Sequence, residues 1–206
     1  MFKKIFKSPY FWAFIAGIFS LHLIKEMALR RRQAPEALVI VKDWTLIDQN
    51  NQILGQKDLL GKPSIASFFF ISCPTICPKL MQQMKEVYKR FAGKDDKINF
   101  FSISVDPEQD TPEMLKNYMQ KTGINFPNWY CLTGTPKDVY DVVVNKMKVH
   151  VGEKELLEDL DGIYDIPHLA HLALFDKEGN LRGLFKTNND EMAALVRAAN
   201  FLMEQD

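Results

Sequence analysis

The chain has 206 residues, 47% of them apolar, and 26 Lys and Arg offset by 26 Asp and Glu. That is enough apolar material for one ordinary domain with an appendage, while zero net charge and the lack of a basic face interleaved with aromatics argue against a nucleic-acid partner. Three cysteines are too few for a disulfide-stapled scaffold, so the close pair Cys73 and Cys77 needs its own explanation and Cys131 is left over.

Tyr10 to Ile24 is apolar apart from Ser20 and His22, with Lys3, Lys4 and Lys7 ahead of it. It reads as one transmembrane helix, an uncleaved signal anchor, although as a helix it spans roughly 22 Å against the ~30 Å hydrocarbon core. Lys7 and Lys25 can snorkel outward and extend it. Lys25, Arg30, Arg31 and Arg32 follow the segment, so charge alone tilts toward a cytoplasmic C-terminal domain. Residues 1–30 are thus expected to be an anchor, 31–36 a linker around Pro35, and 37–206 the folded domain.

Ala37 to Ile47 reads as a strand, Asp48 to Asn51 as a turn, and a short strand continues through Leu54. Gly61-Lys62-Pro63 precedes an apolar strand from Ser64 to Ile71, which empties into Cys73-Pro-Thr-Ile-Cys77-Pro. Residues before prolines avoid the helical region, which puts both cysteines on an extended loop, and Pro78 suits the first position of a helix. Leu80, Met81, Met84, Val87, Tyr88 and Phe91 recur at helical spacing and Gly93 is a stop. Cys77 then lies at a helix N-terminus, where free N–H groups favour a thiolate.

Ile98 to Val105 is the next strand, ending at Asp106-Pro107. Thr111 caps a helix that begins at Pro112 and ends at Gly123, with Met114, Leu115 and Tyr118 on its apolar face. Trp129 to Leu132 reads as a strand, 135–146 as a helix, 147–151 as an extended piece and 153–164 as acidic and irregular. His171 to Phe175 and Leu181 to Phe185 form a hairpin about Gly179, and 191–203 closes the chain as a helix. Strands alternating with helices and ending in a hairpin and a helix define an α/β fold with a central mixed sheet flanked by helices. Its cysteine loop lies at the carboxyl end of the sheet, where ligands bind in open α/β folds; this is a thioredoxin-like layout.

Of four histidines, His22 falls in the anchor and His150 in a strand-like stretch. His168 and His171 lie on opposite sides if both share a strand. Pro167 favours the connection entering the strand, which puts His168 across from the cysteine loop and His171 in the sheet. Met81, Met84, Met114 and Cys131 are read as packing residues, and Asp106 as a strand-end carboxylate near the loop.

Taken together these residues resemble the Sco/SenC family of copper-site assembly proteins. Cys73-Pro-Thr-Ile-Cys77-Pro is similar to that family's Cys-x-x-x-Cys-Pro motif, Ser104-Val-Asp-Pro107 with Asp110-Thr-Pro112 to its second block, and Leu132-Thr-Gly134 to a third. The family's histidine stands eleven residues before the hairpin glycine, which from Gly179 lands on His168. The resemblance implies a membrane-anchored copper chaperone that binds one copper ion through Cys73, Cys77 and His168 and assists assembly of the CuA centre of cytochrome c oxidase. Soft thiolates suit Cu(I) and imidazole suits Cu(II), so such a donor set can hold either. The implied partners are the CuA-bearing oxidase subunit, a copper-donor protein and a thiol reductant. The implied location is the bacterial inner membrane, single-pass, with the C-terminal domain in the periplasm, against the charge rule. The rival reading is a thiol-disulfide reductase in which Cys73 and Cys77 act without metal on the oxidase's copper-ligand cysteines.

Overall fold

The computed structural model describes residues 9–31, 36–156, 164–167 and 170–205. The chain divides into two compact units, Met1–Ala34 and Pro35–Asp206.

Among the described residues, the first unit holds the helix α1 (Pro9–Arg31). Its large side chains, among them Tyr10, Phe14, Ile18, Leu21 and Ile24, are exposed. Among the described residues no helix is long and apolar enough to cross a membrane, so the expected transmembrane span is not met there. The physical reason is the one visible in the sequence: the apolar run stops at Lys25, well short of the ~30 Å core.

The second unit is built on a seven-stranded sheet in the order β2-β1-β5-β4-β3-β8-β9. Its strands are β1 (Thr45–Asp48), β2 (Ile53–Gly55), β3 (Ser64–Phe69), β4 (Asn99–Ser104), β5 (Trp129–Thr133), β8 (His171–Phe175) and β9 (Leu181–Lys186). β3, β4 and β5 run parallel at the centre, with Phe68 opposite Ile103 and Phe101 opposite Tyr130. β8 joins β3, and β1 joins β5, antiparallel, giving the mixed sheet expected from the alternation of elements. β3 and β4 are buried along their whole length, as central strands covered on both faces must be. A separate ribbon pairs β6 (Glu155–Leu156) with β7 (Tyr164–Asp165) in the stretch read from sequence as irregular.

The helices are α2 (Gln56–Leu59), α3 (Cys77–Lys89), α4 (Pro112–Thr122), α5 (Pro136–Tyr140) running into a π turn at Asp141–Lys146, and α6 (Asn189–Glu204). α3 buries Leu80, Met81, Met84, Val87 and Tyr88, the helical stripe visible in the sequence. Thr111 caps α4 by accepting from the Met114 amide, and Gly123 ends it at φ 69°, a left-handed conformation that favours glycine. Met114 is exposed rather than packed, because Leu115 and Met119 carry that helix's buried face. The strand expected from Ala37 shrinks to a single bridge from Val39 to Leu181 and resumes only at Thr45, because Asp43 turns the chain at φ 53°.

Two buried polar clusters fix the central register. Ser67 and Ser102 meet across β3 and β4 at 2.7 Å, and the Trp129 indole N–H donates to Ser102 Oγ at 3.0 Å. Tyr88 donates to the Asn128 side chain at 2.6 Å, tying α3 to the entrance of β5.

Candidate metal and redox site

β3 ends at Phe69, and the loop that leaves it reaches Cys73 and then Cys77, the first residue of α3. The Cys73 amide donates back to the Phe70 carbonyl at 3.3 Å, a turn that folds the loop over the strand end. Both cysteines are buried, 5% and 2% exposed, while Pro74, Thr75 and Ile76 between them face outward. The Cys77 amide donates to Cys73 Sγ at 3.4 Å, and the Thr75 hydroxyl lies 3.8 Å from the same sulfur.

This geometry divides the two thiols. Burial raises the Cys73 pKa, but hydrogen bonds from the Cys77 backbone and side chain and the Thr75 and Ile76 backbone outweigh it, so the thiol lies below its ordinary value. Burial pushes the Cys77 thiol up; a backbone hydrogen bond at Phe70 opposes this, while Cys73 and the Asp165 carboxylate add to the rise. The expectation that the helix N-terminus favours a thiolate at Cys77 is therefore corrected: burial outweighs it there. The Cys77 amide, one of the helix-start donors, is given to the sulfur four residues earlier instead of to its own.

A carboxylate pair organises the ground beneath the loop. Asp110, buried, accepts from the Ile71 amide at 3.0 Å and from Ser104 Oγ at 2.6 Å, tying the loop to the end of β4. Asp106, 4% exposed, takes Lys154 Nζ at 3.3 Å and the Tyr164 hydroxyl. Tyr164 in turn stacks on Phe70, with ring centroids 5.7 Å apart. Asp106 was legible as a strand-end carboxylate and Asp110 as part of the block that follows it; Lys154 and Tyr164 were not, because their partner Asp106 lies 48 and 58 residues away in sequence.

A cleft of about 460 Å³ opens over the loop, lined by Thr75, Ile76, Lys79, Asp165, Ile166 and Pro167. A larger one of about 610 Å³ lies beyond Ile166, floored by Val105, Val139 and Val143, away from the sulfurs. His150 is exposed on its rim, consistent with an edge position. His171 is half-buried at the start of β8, opposite Lys186. Burial, then the Lys186 charge, lowers its pKa, with Glu191 opposing. Cys131 is fully buried, and burial raises its thiol pKa. His168 lies outside the described residues, and among those described no three His, Cys, Asp or Glu side chains converge to hold a metal. Two closely apposed buried thiols, one acidified, are nevertheless a donor pair of the kind that soft metals select, and equally a dithiol able to close.

The SCO1/SenC family profile matches residues 32–203. The chain belongs to the SCO1/SenC family. Among its relatives, the SCO2-like protein RT0576 of Rickettsia typhi is 36% identical over 137 residues, covering 66% of this chain, which spans 64% of that relative's length. Among solved structures, Bradyrhizobium japonicum ScoI with copper bound superposes with TM-score 0.68 at 30% identity, over 80% of this chain and all of that one. A SCO1/SenC family lipoprotein from Bacillus anthracis gives TM-score 0.70 at 26% identity, over 82% and 98% of the two chains. The fold is the one these family members share, an α/β domain with a central mixed sheet.

Proposed function

We propose that this SCO1/SenC protein is a copper chaperone that binds one copper ion through Cys73, Cys77 and His168 and assists assembly of the CuA centre of cytochrome c oxidase. The observation that carries the reading is the apposition of two buried thiols, with the Cys77 amide 3.4 Å from Cys73 Sγ, at the carboxyl end of β3. Their chemistry fits copper, and a related structure at 30% identity is a copper-bound ScoI. Copper here is cargo, so the site must also release it to an oxidase subunit after receiving it from a donor protein. The test is anaerobic copper titration of wild type, Cys73→Ser, Cys77→Ser and His168→Ala. One copper per chain is expected, lost with either serine variant and weakened with changed absorption in His168→Ala; an unaltered His168→Ala overturns the ligand assignment.

The split in thiol acidity favours a second reading, a thiol-disulfide reductase acting on the oxidase's copper-ligand cysteines. Cys73 thiolate would attack a substrate disulfide, Cys77 would displace the mixed disulfide, and the released pair of substrate thiols would balance a new Cys73–Cys77 disulfide. A thiol reductant then regenerates the pair. Disulfide formation blocks thiolate coordination, so the two activities exclude each other at any instant.

We also propose that the protein is held by its N-terminal segment at a bacterial inner membrane, with the domain in the periplasm. The exposed apolar side chains of α1 support attachment, and the need to reach an oxidase copper centre supports the orientation. Protease treatment of spheroplasts tests it: a cleaved domain is expected, and a protected one overturns the placement.

A further inference from the structure

Among the described residues the β6–β7 ribbon pairs with no strand of the main sheet, and a two-stranded ribbon alone is marginal in water. Glu155 and Leu156 are exposed along it. Its ends are nevertheless fastened at the cysteine loop. The Gly152 amide donates to the Pro167 carbonyl at 2.6 Å, Ile166 is buried, and Lys154 and Tyr164 both reach Asp106.

Those contacts converge from three sides. The Tyr164 hydroxyl donates to Asp106 at the end of β4, its ring stacks on Phe70 with an interplanar angle of 13°, and Ser72, next to Cys73, hydrogen-bonds to it. Lys154 Nζ sits 3.7 Å from the ring centroid while pairing with Asp106, so one ammonium serves a carboxylate and a π face together. Phe70 is the residue whose carbonyl takes the Cys73 amide. Asp106, with its carboxylate buried, needs both partners to offset its desolvation.

We propose that Tyr164 is a positioning residue of the copper site: locked by Asp106 and Lys154, it seats the ribbon on the cysteine loop, bringing Asp165 to Pro167 to the cleft over that loop. This rests on the reading of Cys73, Cys77 and His168 as copper donors, since His168 follows Tyr164 by four residues. Tyr164 acts through the ribbon and the loop and touches neither sulfur's cargo. Supporting groups of this kind typically change metal affinity by about 10- to 100-fold.

The test combines hydrogen exchange and copper affinity in the folded full chain, for wild type, Tyr164→Phe and Tyr164→Ala. In Tyr164→Ala, exchange at 152–156 and 164–167 is expected to rise about tenfold with β3 and β4 unchanged, and copper affinity to fall by about the same factor with an altered thiolate-to-copper absorption band. Tyr164→Phe, which keeps the stack on Phe70 and loses the bond to Asp106, falls between. Equal acceleration across β3 and β4 shows a general packing role and overturns the positioning role, as does a released ribbon with unchanged copper affinity and spectrum. Ribbon exchange that stays at the wild-type rate in Tyr164→Ala also overturns it. Wild type that binds no copper through its cysteines instead overturns the copper reading on which it rests, and the exchange arm alone then reports whether Tyr164 holds the ribbon.

Discussion

The Cys77 amide donates to Cys73 Sγ at 3.4 Å, so the first turn of α3 stabilises charge on the preceding sulfur while Cys77 itself stays buried, with the Asp165 charge opposing its ionisation. A pair divided in this way has an attacking thiol and a resolving thiol, and it can present one thiolate to a metal before the second is deprotonated. On the two functions proposed above, copper capture and disulfide exchange would begin at the same atom.

Alkylation tests that order. At neutral pH, limiting iodoacetamide is expected to label Cys73 ahead of Cys77, and Cys77→Ser to react faster than Cys73→Ser, because the Cys73 thiol lies below its ordinary pKa and the Cys77 thiol above it. Peptide mapping reads the outcome, and Cys77 labelled first would sink the assignment of roles.

Asp110 makes a pH-dependent contribution whose sign can be worked out. Burial raises its carboxyl above the ordinary 3.8, with the Ser104 and Ile71 hydrogen bonds opposing. The folded state thus holds this proton more tightly than the unfolded chain. Its favourable share is fully present below the unfolded pKa and is lost as pH rises through the folded one. Asp110→Asn keeps an acceptor for Ile71 and Ser104 and removes the titration. Urea midpoints from pH 4 to 7 are therefore expected to show wild type losing stability relative to Asp110→Asn as pH rises, by about 1.4 kcal/mol per unit of pKa displacement. A difference independent of pH would refute it.

Trp129 donates its buried indole N–H to Ser102 Oγ at 3.0 Å, within the same cluster as Ser67. Ser102→Ala strands that donor in a region with no access to water and is expected to cost about 1–3 kcal/mol. Calorimetry should show a fall in Tm of several degrees with copper stoichiometry unchanged, since the cluster lies within the strands and not at their carboxyl ends.

Much of this architecture was legible because it is local. The run Ser64 to Ile71, the stripe from Leu80 to Phe91, the Thr111 cap and the Gly123 stop each depend on neighbours in the chain, and each formed nearly where periodicity and capping put it. The cysteine loop was legible only in part through its prolines: Cys73 lies on it, but Cys77, expected on the extended loop as well, opens α3 after Ile76 has already turned helical. What escaped was set by distant partners or by one unusual dihedral. Asp43 at positive φ cut the first strand short, and the β6–β7 ribbon owes its place to Tyr164, Asp106 and Phe70 rather than to any strand pattern. The thiolate expected at Cys77 failed because residue position locates the helix start but not the burial of its sulfur, nor that the Cys77 amide serves Cys73 Sγ.

Cys131 offers the last discrimination, between an inert packing thiol and a third participant. It is fully buried on β5, burial holds its thiol above the ordinary pKa, and its own amide is taken by the Gln49 side chain at 2.9 Å. Reaction of the reduced protein with an aromatic disulfide reagent should therefore release two equivalents of thiolate, the first by attack of Cys73 and the second when Cys77 displaces the mixed disulfide. The third of the three cysteines should respond only in denaturant. Cys131→Ala should leave both the two-equivalent release and copper stoichiometry unchanged. Release of three equivalents from the native chain would place Cys131 within reach of exchange and revise the pairing argued for Cys73 and Cys77.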